Sequence, residues 1–143
     1  MADCIFCRIA RHEVPSSVVY EDEHVIAFMD IMPAKKGHLL VVPKAHYGAL
    51  FDVPAPLLAK TAAVLQRCAR GVRRGLTAEG LNVLQSNGSA AGQVVDHVHF
   101  HIIPRRLGDG LRLDWDHETY APNEMASFAA KIKEGCEAER SDA

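Results

Sequence analysis

Histidines alternate with apolar residues along one stretch of the chain, between Asp96 and Arg105. Every second residue there is a histidine and the residues between are apolar: His97, His99 and His101, with Val98, Phe100 and Ile102. Because successive side chains of a strand point to opposite faces, this period predicts a strand with three imidazoles on one face and an apolar opposite face. Polar groups rarely line a buried strand without partners, so a purely structural role for the histidines is the less favoured interpretation.

The rest of the chain shows the periods of strands and of helices. Short apolar runs bounded by turn residues predict five strands, at 18–20, 25–29, 38–43, 81–85 and, with the histidines, 94–104. Apolar residues three and four apart predict a short helix at 4–10 and a long amphipathic helix that begins near Asp52 or Pro54 and ends at Gly75. A weaker pattern indicates another short helix at 125–133.

The order of these elements predicts an α+β domain. A polar turn alone separates the first two strands, as in a hairpin, and the helices are too few to alternate with the strands of a doubly wound fold. We therefore expect a five-stranded antiparallel sheet with one long and one short helix. Since the sequence has neither a repeat nor a linker, residues 1–143 are predicted to form a single domain, with a core at 4–105 and a C-terminal tail at 106–143.

Composition and charge narrow the classes of partner. The chain has 143 residues, of which 48% are hydrophobic, so it can bury a core of its own. The 16 basic residues are balanced by 18 acidic ones, and this favours neither a nucleic acid nor an anionic membrane as partner. No apolar run approaches the roughly 20 residues of a membrane span, and the first residues lack a signal-like pattern. We expect a cytoplasmic protein.

The four cysteines are too few and too unevenly spaced for a disulfide scaffold. Cys4 and Cys7 form a C-x-x-C pair, whereas Cys68 lies in the predicted long helix and Cys136 in the tail, where both are expected to be free thiols. A C-x-x-C pair either ligates a metal or is redox-active. The βαβ pattern of thioredoxin-like proteins is absent from the sequence, which favours a metal such as zinc.

A loop of small residues precedes the histidines. From Asn87 to Gln93 it reads Asn-Gly-Ser-Ala-Ala-Gly-Gln, so its backbone N–H groups can approach an anion closely and the side chains at both ends can donate hydrogen bonds. It is not a P-loop, because no Gly-Lys-Ser/Thr follows. Taken alone, such a loop is more often an ordinary connection between two strands.

The chemistry of imidazole makes the histidine stretch a candidate catalytic site. A neutral imidazole, with an unperturbed pKa of about 6.5, is mostly unprotonated at neutral pH and can attack phosphorus without an activating base. The alternative is that all three histidines ligate one metal ion, as in a three-histidine zinc site. The neighbouring loop of small residues favours a phosphate group, rather than a metal ion, as the ligand of these histidines.

The histidine stretch and its surroundings resemble the histidine triad (HIT) family of nucleotide hydrolases and transferases. The family signature, His-φ-His-φ-His-φ-φ with φ apolar, is matched in full by residues 97–103. The resemblance extends over residues 4–105 and includes Asp30, the Pro-Lys-Ala-His at 43–46 and the loop at 87–93. It is closest to the Hint branch, especially to zinc-carrying bacterial-type members, and it implies a HIT-like fold.

For catalysis, the resemblance implies that His99 is a nucleophile. It would attack the α-phosphorus of a purine nucleotide to give a nucleotidyl-histidine that water hydrolyses, while His101 bonds the phosphate oxygens or the leaving group. Asp30 would accept hydrogen bonds from both ribose hydroxyls, although alone it is more often a turn residue. Asn87 and Gln93 would contact the α-phosphate. Apolar residues that alone are more often plain core would line the base pocket: Ile5, Phe6, Ile9, Phe28, Ile31 and Leu40.

The resemblance also implies a homodimer and a structural zinc ion. Two thiolates and two imidazoles would bind the zinc: Cys4, Cys7, His46 and His97. Val94 stands where many Hint proteins carry a serine that contacts the phosphate or the leaving group.

The substrates that the resemblance implies are nucleoside phosphoramidates or adenylylated compounds, with AMP, GMP or an adenosine conjugate as the bound nucleotide. Two alternatives use the same residues. One is a dinucleoside polyphosphate hydrolase, and the other is a nucleotide-binding or scaffold module that turns over slowly.

Overall fold

The computed structural model of the chain describes residues 4–139. Its strands form one antiparallel sheet in the order β1-β2-β3-β5-β4: β1 (Val18–Glu21), β2 (Val25–Met29), β3 (Leu39–Pro43), β4 (Gly80–Leu84) and β5 (Phe100–Arg105). Its helices are α1 (Ile5–Ala10), α2 (Ala55–Gly75) and α3 (Glu124–Glu139). The predicted α+β class and five-stranded antiparallel sheet are confirmed. The described residues form three α-helices, and two of them are long, because the helix expected at 125–133 extends over Glu124–Glu139.

The two faces of the sheet pack against different helices. Strands β2 and β3 are continuous apolar runs, and their alternate residues are buried on opposite faces. One face packs on α2 through a first apolar cluster: Val25, Ala27, Leu39, Val41, Ile102, Val64, Cys68 and Val72. The other face packs on α1 through a second: Ile26, Phe28, Leu40, Val42, Phe6 and Ile9. The short helix α1 and the long helix α2 therefore lie on opposite sides of the sheet.

Helix α2 forms where the apolar spacing predicts it. It begins at Ala55, directly after Pro54, and its second residue is Pro56, a position that tolerates proline because its N–H has no partner within the helix. Its buried stripe recurs every three or four residues: Thr61, Val64, Cys68 and Val72. The Thr61 hydroxyl, which would otherwise be an unpaired polar group in the core, donates to the carbonyl of Leu57 at 2.8 Å.

The last strand is shorter than predicted. β5 begins at Phe100, so residues 94–99 do not pair in the sheet, although the sequence predicts a strand from Val94. The N–H of Val98 instead makes a tertiary contact with the carbonyl of Tyr47, and the N–H of His97 makes a local bond to the carbonyl of Val95. These bonds take the segment out of the ladder and lay it along the loop that follows β3.

The described chain divides into two compact units, the first ending at Leu111 and the second beginning at Arg112. The first extends past Arg105 because its guanidinium donates to the carboxylate of Asp109, at 2.8 and 2.9 Å, and to the carbonyl of Leu111 at 2.6 Å. This pairing holds the pKa of the Asp109 carboxyl well below its usual range. The first unit contains the whole sheet.

The second unit contains α3, which is longer than the helix expected at 125–133. The apolar spacing that marked this helix ends at Ile132. The residues that follow are mostly glutamate, lysine and alanine. Because these residues have high intrinsic helix propensity, the helix continues to Glu139 without further apolar spacing. Within residues 4–139, no helix combines the length and the apolar character needed to cross a bilayer.

Candidate functional site

The four predicted metal ligands lie together at one end of the sheet. Cys4 immediately precedes α1, and Cys7 lies in its first turn. His46 follows β3, and His97 precedes β5. The Cys4 Sγ and Cys7 Sγ atoms lie 3.4 and 3.6 Å from His97 Nδ1, and Cys7 Sγ lies 3.3 Å from His46 Nδ1. All four donor atoms fall within 4.8 Å of one another. The cluster could therefore hold a metal ion.

These separations fit a tetrahedral site. With metal bonds of about 2.3 Å to sulfur and about 2.0 Å to nitrogen, a tetrahedron places sulfur and nitrogen ligands about 3.5 Å apart. The Nε2–H of His97 donates to the carbonyl of Pro43 at 2.8 Å, which directs the Nδ1 lone pair into the cluster. Burial lowers the pKa of His97 to about 4, so this ring is neutral, as a ligand must be.

His99 lies beside this cluster with one tautomer fixed. Its side chain is buried, with 7% of its surface exposed, and its Nδ1 lies 2.7 Å from the carbonyl oxygen of His97. A carbonyl oxygen only accepts, so Nδ1 carries the hydrogen and donates it. In its neutral form, the ring consequently keeps its lone pair on Nε2. That nitrogen is the one available for attack on an electrophile.

His101 is fixed in the complementary way by a residue that the sequence analysis did not select, His38. The N–H of Ala34 donates to His38 Nδ1 at 3.0 Å, so the hydrogen of His38 lies on Nε2. His38 Nε2–H then donates to His101 Nδ1 at 2.8 Å. The hydrogen of His101 therefore lies on Nε2, which makes this atom a hydrogen-bond donor where His99 offers a lone pair.

Burial keeps both rings of this pair neutral. Burial, with the nearby rings of His99 and His38, lowers the pKa of His101 to about 4, against the opposing effect of the Asp30 carboxylate. Burial also lowers the pKa of His38, against the opposing effect of the Asp30 carboxylate 3.6 Å away. His38 carries a signal in the sequence, because it lies two residues before Leu40, on the sheet face that also bears His101.

Asp30, His38 and His101 also bring potential ligand atoms within 4.8 Å of one another. A metal would need the lone pair of His38 Nε2, but the N–H of Ala34 already occupies Nδ1 and leaves the hydrogen on Nε2. His38 and His101 are therefore joined by a hydrogen bond, with the Asp30 carboxylate 3.6 Å from His38, and the three residues do not form a second metal site. Asp30 Oδ1 in addition accepts the N–H of Met32 at 2.8 Å, so the carboxylate caps its own turn.

The loop at 87–93 is held by its own bonds. Gly88 and Gly92 have φ values of 86° and 90°, which favour glycine. The Gln93 carboxamide accepts the N–H of Gly88 at 2.7 Å and donates to the carbonyls of Gly48 and Val95 at 2.7 and 3.0 Å. The N–H groups of Ala91, Gly92 and Gln93 bond within the loop. Gln93 thus fastens the loop to the segment that follows His46.

The other predicted nucleotide contacts divide by exposure. Asn87 bonds the N–H of Leu50 and the side chain of Gln85. Four of the apolar residues are in the buried cluster beneath α1 or at its edge: Phe6, Ile9, Phe28 and Leu40. Ile5 is 39% exposed, and Ile31 and Val94 are each 92% exposed, so these three do not form part of a closed pocket wall. Their contacts with nucleotide stay predictions.

The low pKa of His101 predicts a loss of stability in acid. Between its folded value of about 4 and the ordinary value of 6.5, the unfolded chain binds a proton that the folded chain does not. Stability is therefore full above pH 6.5 and falls as the pH drops towards 4, with a loss on the order of 2 kcal/mol for this half-buried ring. Urea unfolding at pH 7.5 and at pH 4.5 measures this loss of unfolding free energy.

The matched variant is His101→Gln, whose amide oxygen can still accept from His38. We expect the difference in unfolding free energy between the two pH values to be smaller in this variant by on the order of 2 kcal/mol. Other acid-sensitive groups, including the metal ligands, affect both proteins alike. An equal pH dependence in the two proteins would contradict the assignment.

Comparison with known proteins gives the family. The HIT domain model matches residues 11–108. An uncharacterised HIT-like protein of Methanocaldococcus jannaschii is 50% identical over 107 residues, covering 75% of this chain and 82% of the relative. The adenosine 5'-monophosphoramidase of Candida albicans is 38% identical over 141 residues, covering 93% of this chain and 91% of that protein. An Arabidopsis thaliana adenylylsulfatase is 38% identical over 109 residues, covering 76% of this chain and 55% of that protein.

Solved structures agree. A HIT family protein of Bacillus subtilis superposes with a TM-score of 0.87 at 40% identity, covering 92% of this chain and 96% of that chain. A zinc-bound histidine triad protein of Mycobacterium smegmatis superposes with a TM-score of 0.74 at 43% identity, covering 82% of this chain and 85% of that chain. The residues that the HIT domain model matches, 11–108, include the whole sheet, His38 and all three histidines of the signature. The chain therefore belongs to the HIT family.

Proposed function

We propose that the protein hydrolyses purine nucleoside phosphoramidates or adenylylated compounds at the α-phosphate, through a covalent nucleotidyl-His99. The observation that carries the proposal is the bond from the buried His99 ring, through Nδ1, to the carbonyl of His97, because a neutral ring bonded in this way has its lone pair on Nε2. Relatives with these two activities support the class of substrate.

In the first step, His99 Nε2 attacks phosphorus, the new P–N bond forms, and the bond from phosphorus to the leaving amine breaks. The amine leaves with a proton taken from solvent. In the second step, a water oxygen attacks phosphorus, the P–Nε2 bond breaks, and the water gives up a proton to solvent. The net reaction consumes one water and restores neutral His99. His101 Nε2–H donates to a phosphate oxygen in both steps, where negative charge concentrates.

Asp30, Asn87 and Gln93 are proposed to position the nucleotide. The second oxygen of Asp30 lies 3.6 Å from His38 and can accept from a ribose hydroxyl. The Gln93 bond to the carbonyl of Val95 joins the loop at 87–93 to the segment that precedes the histidines. The base would lie against Phe6, Phe28 and Leu40, which recognise a purine by shape and stacking.

Zinc is the metal proposed for the cluster of two thiols and two imidazoles. This donor set is typical of closed structural zinc sites, and a zinc-bound member of the family supports the choice. When bound, zinc would supply a structural cross-link between α1, the loop after β3 and the segment before β5.

A panel of substrates tests the proposed function. The protein is incubated with adenosine phosphoramidate, ADP and a diadenosine polyphosphate, and AMP release is followed by chromatography. We expect the phosphoramidate to be cleaved fastest. Cleavage of the diadenosine compound alone would favour the polyphosphate hydrolase, and binding without AMP release from any compound would favour the nucleotide-binding module.

Replacing His38 should weaken catalysis through His101. His38→Phe keeps a buried ring but removes the donor to His101 Nδ1, so His101 can take either tautomer. We expect AMP release to fall about 10- to 100-fold, the usual cost of losing such an orienting partner. His38→Gln, whose amide can accept from Ala34 and donate to His101, should recover much of the rate. Equal losses in both variants would contradict the role.

Replacing Val94 by serine should raise the phosphoramidase rate. The side chain is 92% exposed, so the change leaves stability within about 0.5 kcal/mol. A hydroxyl there can donate to a charged oxygen or to the leaving group, and such a bond corresponds to about a 10-fold gain. Val94→Ala is the matched control, because it removes methyl groups without adding a donor. A similar rate in both variants would show that the hydroxyl makes no contact.

A further inference from the structure

A cavity of about 590 Å³ lies on the α2 side of the sheet, between the helix and residues of β1, β2 and β3. This volume is within the range of about 300 to 1,000 Å³ that is usual for small-molecule sites. Leu39 lines the cavity, whereas the next residue, Leu40, lies on the opposite face of the sheet and is paired with His101. The cavity is therefore separate from the proposed catalytic site.

The floor of the cavity is apolar. Leu39, Cys68 and Val72 are buried members of the first apolar cluster, and Met29 packs against them. Apolar side chains form most of the lining: Val19, Met29, Leu39, Cys68, Val72 and Leu76. These side chains offer contact to an apolar group and no strong hydrogen bond to a polar one.

Two glycines leave the mouth of the cavity open. Arg67, Gly71 and Gly75 follow one another at intervals of four along α2, so they form one row beside the buried row of Cys68 and Val72. A Cβ at Gly71 or at Gly75 would meet no atom of another segment within 4 Å. A glycine inside a helix costs stability relative to alanine, and here it leaves the apolar floor accessible to a ligand.

The loop before β3 closes one end of the cavity. Gly37 lies so near the end of α2 that a Cβ there would be 2.5 Å from Leu76 Cδ1 and 3.0 Å from Pro104 Cγ. Its φ of 99° also favours glycine. This close approach brings Lys36, the preceding residue, to the same end of the cavity.

Among the residues that the structure describes, the cavity is lined by two cations, Lys36 and Arg67, and by no carboxylate. Neither cation forms an ion pair within residues 4–139. Arg67 Cζ lies 4.9 Å from the centroid of the Tyr20 ring, which holds the guanidinium beside the cavity. Asp22 accepts from the Tyr20 hydroxyl at 3.0 Å and from two backbone N–H groups of its own turn. The cavity therefore favours an anionic head group on an apolar body.

We propose that this cavity binds one medium-chain alkyl carboxylate, a fatty acid in its ionised form. The carboxylate pairs with Arg67, and the chain lies over the apolar floor along the row of Gly71 and Gly75. This row rises about 12 Å from Arg67 to Gly75, which suits an extended decyl chain. Lys36 contributes positive charge at the other end and strengthens the attraction for an anion.

The first test compares ligands with equal chains and opposite head groups. The full-length protein, freed of bound lipid, is titrated in a calorimeter with decanoate, decyltrimethylammonium and butyrate at about pH 8, below micelle-forming concentrations. We expect decanoate to bind once per chain and at least about 10-fold more tightly than the cationic amphiphile. Butyrate should not bind measurably, because its short chain covers little of the floor. Equal affinity for the two amphiphiles, or no binding of decanoate, would overturn the proposal.

The second test closes the mouth of the cavity. Gly71→Leu places a side chain over the floor and raises helix propensity, so the variant should be at least as stable as wild type. We expect its affinity for decanoate to fall at least about 10-fold, because the leucine occupies the space of the chain. Gly135→Leu is the matched control, since it makes the same change at an open position of α3. Equal affinities in the two variants would show that decanoate binds elsewhere.

The third test removes the charge assigned to the carboxylate. Arg67→Gln should weaken decanoate binding about 10-fold, whereas Arg70→Gln, in the same helix but outside the lining of the cavity, should stay within about twofold. Equal effects of the two substitutions would contradict the pairing with Arg67. His99→Ala should bind decanoate as wild type does, so the result does not depend on whether the proposed hydrolysis occurs.

Discussion

His99→Ala is expected to lower AMP release from adenosine phosphoramidate at least about 10⁴-fold. The substitution removes the only atom that the proposed mechanism bonds to phosphorus, and loss of a nucleophile has effects of this size or larger. Nucleotide affinity should change little, because the remaining proposed contacts stay in place. The measurement is the steady-state rate, together with intact-protein mass spectrometry after rapid acid quench, which should show a nucleotidyl adduct in wild-type protein alone.

His24→Ala is the matched control for the loss of one imidazole. His24 is half-buried in the turn between β1 and β2, where its ring lies 3.6 Å from the Glu23 carboxylate. We expect the rate of this variant to remain within about twofold of wild type. An adduct that persists in His99→Ala, or a rate that survives the substitution, would show that another group attacks phosphorus.

Cys7→Ala is expected to give the largest loss of stability. Cys7 is buried and approaches both His46 and His97, so its removal leaves three ligands and an opening in the core. We expect bound zinc to fall from one ion per chain to nearly none. The free energy of unfolding should fall on the order of 4 kcal/mol, because the metal is proposed to cross-link three separate segments. Elemental analysis and urea unfolding measure the two effects.

Cys136→Ala controls for the loss of a thiol. Cys136 is exposed in α3, outside the four-residue cluster. Zinc content and stability should match wild type, with a change in unfolding free energy within about 0.5 kcal/mol. A full complement of zinc in Cys7→Ala would contradict the proposed ligand set. Equal stability of loaded and stripped wild type would contradict the structural role.

Local pattern predicted most of the elements. β2 runs over 25–29 as the apolar run indicates, and β1, β3 and β4 differ from prediction by one residue at their ends. These segments are defined by neighbouring residues, so their periods survive in the fold. The homodimer implied by the resemblance stays a prediction, as do the individual nucleotide contacts.

His38 and the start of β5 could not be predicted in this way. β5 begins late because the N–H of Val98 bonds to Tyr47, and His38 acts on His101 because Ala34 fixes its tautomer. Val98 and Tyr47 lie 51 positions apart in the sequence, and His38 and His101 lie 63 positions apart. No local period records such contacts.

By itself, the sequence determined the alternation of histidine with apolar residues and the kinds of donor present, two thiols and several imidazoles. Only the tertiary structure decided how the three histidines differ. His97 turns its ring to Cys4, which is 93 positions away, and its carbonyl to His99, whereas His101 pairs with His38. The physical reason is that a side-chain period depends on adjacent backbone, while a tautomer depends on whichever donor or acceptor packing brings within 3 Å.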